Sequence, residues 1–133
     1  MKYLLDTDTC IFALRASGSL RERFGALDPA SIAVSVVTLA ELRYSASCSA
    51  RPEANHRAID DFANGVPVLG LDEEAARTFG EIKARLRNRG ALIDDLDLLI
   101  AATAHRYRLT LVTHNIQHFA RIDGLQLEDW VRP

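Results

Sequence analysis

At 133 residues, 48% of them hydrophobic and 26% charged, the chain has the balance of an ordinary globular protein, long enough to bury about two thirds of its unfolded surface without disulfides or structural metal. The longest uncharged apolar stretch, residues 98–104, is far too short to span a bilayer, and the apolar run between Lys2 and Asp6 is too short for the core of a secretory signal, so a cytoplasmic protein with no membrane partner is expected. The net charge of -2 does not exclude nucleic acid, because every basic residue except Lys2 and Lys83 is arginine, whose planar fork suits phosphate, and acids gathered around a metal would leave the remaining surface more basic than the total.

Residues 2–5 open the chain as a short buried strand that ends at Asp6, followed by helical patterns at about 9–16 and 19–27. A second strand, 32–35, leads into a helix at 38–47, and Pro52 suits the first turn of another helix at 52–64. Gly65 is a stop signal before a third strand at 66–69. Asp72 is placed to cap a helix running to Asn88, with Gly90 as its stop. A helix at 96–107 precedes a fourth strand at 110–113, and residues 125–127 could add a last one. Strands alternating with helices imply a three-layer α/β/α unit over residues 1–133, with a mostly parallel sheet of four to five strands. Cys10 and Cys48 are not spaced as a metal pair, and both read as reduced packing residues in apolar segments.

Three acids break this pattern. Asp6 closes an apolar strand, Glu41 shares a helical stripe with Val37 and Tyr44, and Asp97 has Ile93, Ile100, Ala101 and Ala104 at helical spacing in a segment apolar nearly all round. Burying an ionised carboxylate without a partner costs several kcal/mol, about an order more than a surface ion pair returns, so acids in such places imply donors or cations nearby. Each also has a plainer structural reading: Asp6 as a turn residue, Glu41 as the edge of its stripe paired with an arginine, and one of Asp94, Asp95 and Asp97 as a helix cap. In a parallel sheet, ligands bind beyond the carboxyl ends of the strands where strand order reverses. Asp6 and the His114-Asn115 pair both follow strands at that edge. Gathered there, Asp6, Glu41 and Asp97 would suit Mg²⁺, with Mn²⁺ as a substitute, since these ions take oxygen ligands and can activate water for attack on a phosphodiester. Thr7, Thr9, Ser35 and Thr113 could add hydroxyl contacts.

The segments Leu4-Leu5-Asp6-Thr7-Asp8, Ser35-Val36-Val37-Thr38-Leu39-Ala40-Glu41-Leu42, Asp97-Leu98-Leu99-Ile100-Ala101-Ala102 and Leu111-Val112-Thr113-His114-Asn115, in this order, resemble the motifs of PIN-domain ribonucleases, and of VapC toxins of bacterial toxin-antitoxin pairs above all. The resemblance runs on to the closing Gly124-Leu125-Gln126-Leu127-Glu128-Asp129-Trp130 segment. It implies that Asp6, Glu41 and Asp97 hold Mg²⁺ or Mn²⁺ and that the chain cuts RNA, leaving a 5'-phosphate and a 3'-hydroxyl, with transfer or ribosomal RNA cut at one loop. It also implies a homodimer and a cognate VapB-type antitoxin whose C-terminal segment covers the site. Asn115 stands where many members have a fourth Asp, which puts a second metal in doubt unless Asp8, Asp94 or Asp95 supplies the charge. Arg43, beside Glu41, and the Arg85, Arg87 and Arg89 cluster are candidates for substrate binding with Thr7, Ser35, Thr113 and Asn115, and His114 and His118 could touch phosphate.

Two further readings fit parts of the chain. Asp6-Thr7-Asp8-Thr9 after a strand resembles the start of aspartyl-nucleophile phosphatases, which normally need a site lysine and would leave Glu41 without a task. A catalytically degenerate domain that only binds RNA or a partner would account for Asn115 but not for three intact acids.

Overall fold

A computed structural model describes residues 1–16 and 18–131. Five short strands, β1 (Tyr3–Leu5), β2 (Ile32–Ser35), β3 (Val68–Leu69), β4 (Thr110–Val112) and β5 (Leu127–Glu128), form one sheet in the order β3-β2-β1-β4-β5, with every pair parallel. β1 is central, with Leu4 between Ala33 and Leu111 in register. The chain builds outward from β1 through β2 to β3, then returns to the other side of β1 for β4. Strand order therefore reverses between β1 and β4, which puts the ligand crevice at their carboxyl ends.

The helices are α1 (Thr7–Arg15), α2 (Gly18–Gly25), α3 (Val36–Ser47), α4 (Pro52–Ala63), α5 (Glu73–Asn88), α6 (Asp95–Arg106) and the single turn α7 (Ile116–Phe119), with a 3-10 turn at Pro29–Ser31. The pleat divides the core in two. Leu4, Ala33 and Leu111 pack with Ile82, Leu86, Leu98 and Ile100 of α5 and α6, whereas Leu5, Val34 and Val112 pack with Cys10, Leu42, Ala46 and Ile59 of α1, α3 and α4. That alternation gives the three layers expected from the sequence. Among the described residues no helix is long and apolar enough to cross a membrane.

Several boundaries differ from the sequence reading for local reasons. α1 and α3 begin earlier than expected because Asp6 and Ser35, the residues that end β1 and β2, are themselves the caps: Asp6 Oδ1 accepts from Thr9 N at 2.8 Å and Ser35 Oγ from Val37 N at 3.0 Å. β3 and β5 are edge strands and pair over two residues each, later in the chain than expected. Cys48 is exposed just past the end of α3, so only Cys10 is a packing residue.

Candidate active site at the carboxyl edge

The turn from β1 into α1 fixes the first acid. Asp6 is 4% exposed, its backbone N–H donates to Val112 O at 3.0 Å, and its carboxylate accepts from Thr9 N and from the Thr113 side chain. Burial raises its pKa above the usual carboxylate value, the hydrogen bonds from Thr113 and Thr9 pull the other way, and neighbouring Asp8 adds to the rise. Thr9 Oγ1, itself fully buried, donates to Val112 O at 3.1 Å and ties α1 to β4.

Glu41 reaches the same place from α3. The buried stripe of that helix is Thr38, Leu42 and Ala46, so Glu41 lies at its edge, half-buried, and Tyr44 turns out to solvent rather than toward the sheet as its spacing suggested. Thr7 Oγ1 lies 2.7 Å from Glu41 Oε1 and 3.2 Å from Thr38 Oγ1. A carboxylate can only accept, so the Thr7 hydroxyl donates to Glu41 and accepts from Thr38. This relay holds the carboxylate against α1.

Asp97 sits in the first turn of α6 and has its pKa pushed up to about 6, chiefly by burial; Asp94, Glu41 and Asp6 push it further, and His118 on α7 opposes them. Those mutual repulsions show that acids from the ends of β1, α3 and α6 share one crevice. His118 Nε2 lies 3.4 Å from Asp97 Oδ2. Asp94 is the helix cap, accepting from Leu96 N at 3.1 Å, and Asp95 pairs with Lys83 at 2.8 Å in an exposed position. Neither is poised like Asp97.

The other candidates separate. Thr113 bonds Asp6 and also accepts from Asn115 N at 2.9 Å, which joins Asn115, exposed at the start of α7, to the acid edge. Ser35 is buried under the cap of α3. Arg43 is committed elsewhere: about 200° round the helix from Glu41, it bonds Asp60 and the His56 carbonyl and fastens α3 to α4. Arg85 lies 4.0 Å from Glu81, and Arg89 bonds Asp123 and the Arg121 carbonyl. The Thr38 relay was missed, although Thr38 stands one helical turn before Glu41 and that spacing was the available signal.

Beside the acids lies a cleft of about 430 Å³ lined by Asp8, His114, Asn115, Ile116, Gln117 and Asp129. His114 Nδ1 is 3.1 Å from Asp129 Oδ2, and its ring meets Phe12 edge-on at 5.7 Å between centroids.

Among the described residues, no three His, Cys, Asp or Glu side chains stand as a ready-made metal cage. The donor chemistry nevertheless fits Mg²⁺ or Mn²⁺: the set is rich in carboxylate oxygen, two of its acids have raised pKa values that a cation would relieve, and such ions keep several waters and need only one or two carboxylates.

The PIN domain model matches residues 3–125. The chain belongs to the PIN-domain family, in its VapC branch. A tRNA(fMet)-specific endonuclease VapC from Shigella flexneri is 40% identical over 131 residues, covering 98% of each chain, and Ribonuclease VapC2 from Haemophilus influenzae is 38% identical over 132 residues, covering 98% of this chain and 99% of its own. Among solved structures, DNA-bound VapBC from Salmonella typhimurium superposes with a TM-score of 0.91 at 38% identity, covering 98% of both chains. The PIN assignment agrees with the motif resemblance and sets aside the aspartyl-phosphatase reading, for which the only lysine near α6, Lys83, is in any case paired with Asp95.

Proposed function

We propose that this protein is a metal-dependent endoribonuclease toxin, held in check by a VapB-type antitoxin, with Asp6, Glu41 and Asp97 as its catalytic and metal-holding residues. The observation that carries this reading is the convergence of those acids at the switch point, where their repulsion raises Asp97 to a pKa of about 6. Bound there, Mg²⁺ or Mn²⁺ would supply a water activated for in-line attack on a phosphodiester. The protein's own part is placement. Thr113 and Thr9 fix Asp6, Thr7 and Thr38 fix Glu41, and His118 offsets the charge on Asp97. Asn115 and Asp8 flank the site and are the available donors for a further ion, whereas Asp94 and Asp95 are held by Leu96 N and Lys83.

The substrate we assign is a single-stranded loop of a transfer or ribosomal RNA, cut to leave a 5'-phosphate and a 3'-hydroxyl. Family membership and the ribonuclease names of relatives at 38% to 40% identity support RNA as the substrate class. VapBC complexes among the structural neighbours support the antitoxin. A homodimer of one PIN unit per chain, acting in the cytoplasm, completes the reading. The test is incubation of antitoxin-free protein with end-labelled cellular RNA in Mg²⁺, in Mn²⁺ and in chelator, beside Asp97→Asn. Discrete metal-dependent cuts absent from the variant are expected. No cutting by folded protein would turn the reading toward a module that only binds.

A further inference from the structure

The cleft next to the acids has no task in the reaction above, yet it opens on the same sheet edge. Its walls come from three strand ends: Asp8 follows β1, His114 to Gln117 follow β4, and Asp129 follows β5. At about 430 Å³ it falls within the range of small-ligand pockets, about 300–1,000 Å³. Asp8 and Asp129 contribute negative charge, and the lining includes no lysine or arginine, so the cleft opposes a phosphate.

Its hydrogen-bonding character is specific. A carboxylate accepts only, so Nδ1 of His114, 3.1 Å from Asp129 Oδ2, carries the proton of the neutral ring and Nε2 keeps a lone pair. The Asp8 carboxylate and the side-chain carbonyls of Asn115 and Gln117 add further acceptors. Phe12, 38% exposed, supports the His114 ring from α1 and gives the rim an aromatic edge. A cleft rich in acceptors, poor in cations and bordered by an aromatic ring suits an unstacked base with an amino group, in the way carboxylates accept from cytosine N4.

We propose that this cleft is a nucleobase subsite flanking the cut, which selects a base bearing an exocyclic amino group and so favours cytosine over uracil. It rests on the ribonuclease reading for its place beside a scissile bond. The two pyrimidines share shape and differ at position 4, amino against carbonyl, so they isolate the predicted contact.

The test uses Asp97→Asn protein in Mg²⁺ and the tetranucleotides rCCCC and rUUUU, with affinity followed by amide chemical shifts. Tighter binding of rCCCC by about tenfold is expected, with shifts at residues 114–117, and with the preference lost in Gln117→Leu and in His114→Phe built on the same background. Equal affinities, or a preference that survives both substitutions, would overturn the subsite. Gln117 is exposed on α7, so its replacement does not threaten the fold. The ribonuclease reading fails separately: discrimination by the cleft in a protein whose unsubstituted form cuts no RNA would leave the subsite standing and the nuclease refuted, and cutting without discrimination would do the reverse.

Discussion

His118 Nε2 lies 3.4 Å from Asp97 Oδ2 and joins the single turn of α7 to the first turn of α6. When the ring is protonated it stabilises the Asp97 anion against burial and against Asp94, Glu41 and Asp6. Replacing it with alanine removes the only influence named that favours ionisation. In chelated His118→Ala protein the Asp97 carboxyl should therefore titrate above its present value of about 6, by roughly half a unit to one unit. Carboxyl carbon shifts followed from pH 3 to pH 9 would report the midpoint, and an unchanged or lower value would contradict this electrostatic role.

The same pKa sets a stability trend. Unfolded, Asp97 titrates near 3.9; folded, near 6, so between these values the native state holds a proton that the unfolded chain has released. The stabilising contribution is fully present below about pH 4 and is lost as pH rises through about 6. Asp97→Asn removes this dependence. With metal chelated at pH 7 the variant should be more stable than the parent by about 1 to 2 kcal/mol, after allowing for partial exposure, with the gap closing toward pH 4. Urea melts at both pH values would measure it, and a variant less stable at pH 7 would reject the account. RNA cutting should be lost.

How much of this the sequence carried follows from the range of each interaction. Asp6, Glu41 and Asp97 were legible because each interrupts an apolar pattern within a few residues of itself, and the strand-helix alternation was legible because it repeats. The return of the chain to place β4 against β1 could only be assumed, and register confirms it through Leu5 and Val112. α7 and the 3-10 turn at Pro29–Ser31 are too short to show any period. Arg43 looked like a substrate ligand because it is close to Glu41 in sequence, but adjacency along a helix is not adjacency in space. The His114 to Asp129 bond spans 15 residues and leaves no local trace.

Thr7 offers a way to disturb Glu41 without touching its charge. Its hydroxyl donates to Glu41 Oε1 at 2.7 Å and accepts from Thr38, and Thr7→Val keeps the shape while deleting both bonds. Outer-shell partners of ligands typically contribute about 10- to 100-fold, so kcat/KM at fixed Mg²⁺ should fall by about tenfold or more. The loss in folding stability should stay near 1 kcal/mol, the usual net value of one hydrogen bond. Thr7→Ser restores the donor and should restore most of the rate. A valine variant as active as the parent would show that Glu41 needs no such anchor.

Asn115 tests whether charge or geometry limits metal binding. It starts α7 without a side-chain cap bond, its backbone N–H is fixed to Thr113 Oγ1 at 2.9 Å, and its side chain borders the cleft that Asp8 and Asp129 already make acidic. Asn115→Asp adds one negative charge with almost no change of shape. In chelator the added repulsion should lower stability by up to about 1 kcal/mol, and attraction for a divalent ion should rise by a similar amount, about fivefold in affinity. Because a ligand that binds only the native state stabilises it in proportion to the logarithm of its concentration over its dissociation constant, the rise in melting temperature produced by Mn²⁺ should be larger in the variant than in the parent. Paired melts with and without Mn²⁺, with free Mn²⁺ followed by electron paramagnetic resonance, would separate the two effects. Equal Mn²⁺ responses would mean that Asn115 stands too far from the ion for its charge to matter, and would place the metal on the Glu41 side of Asp6.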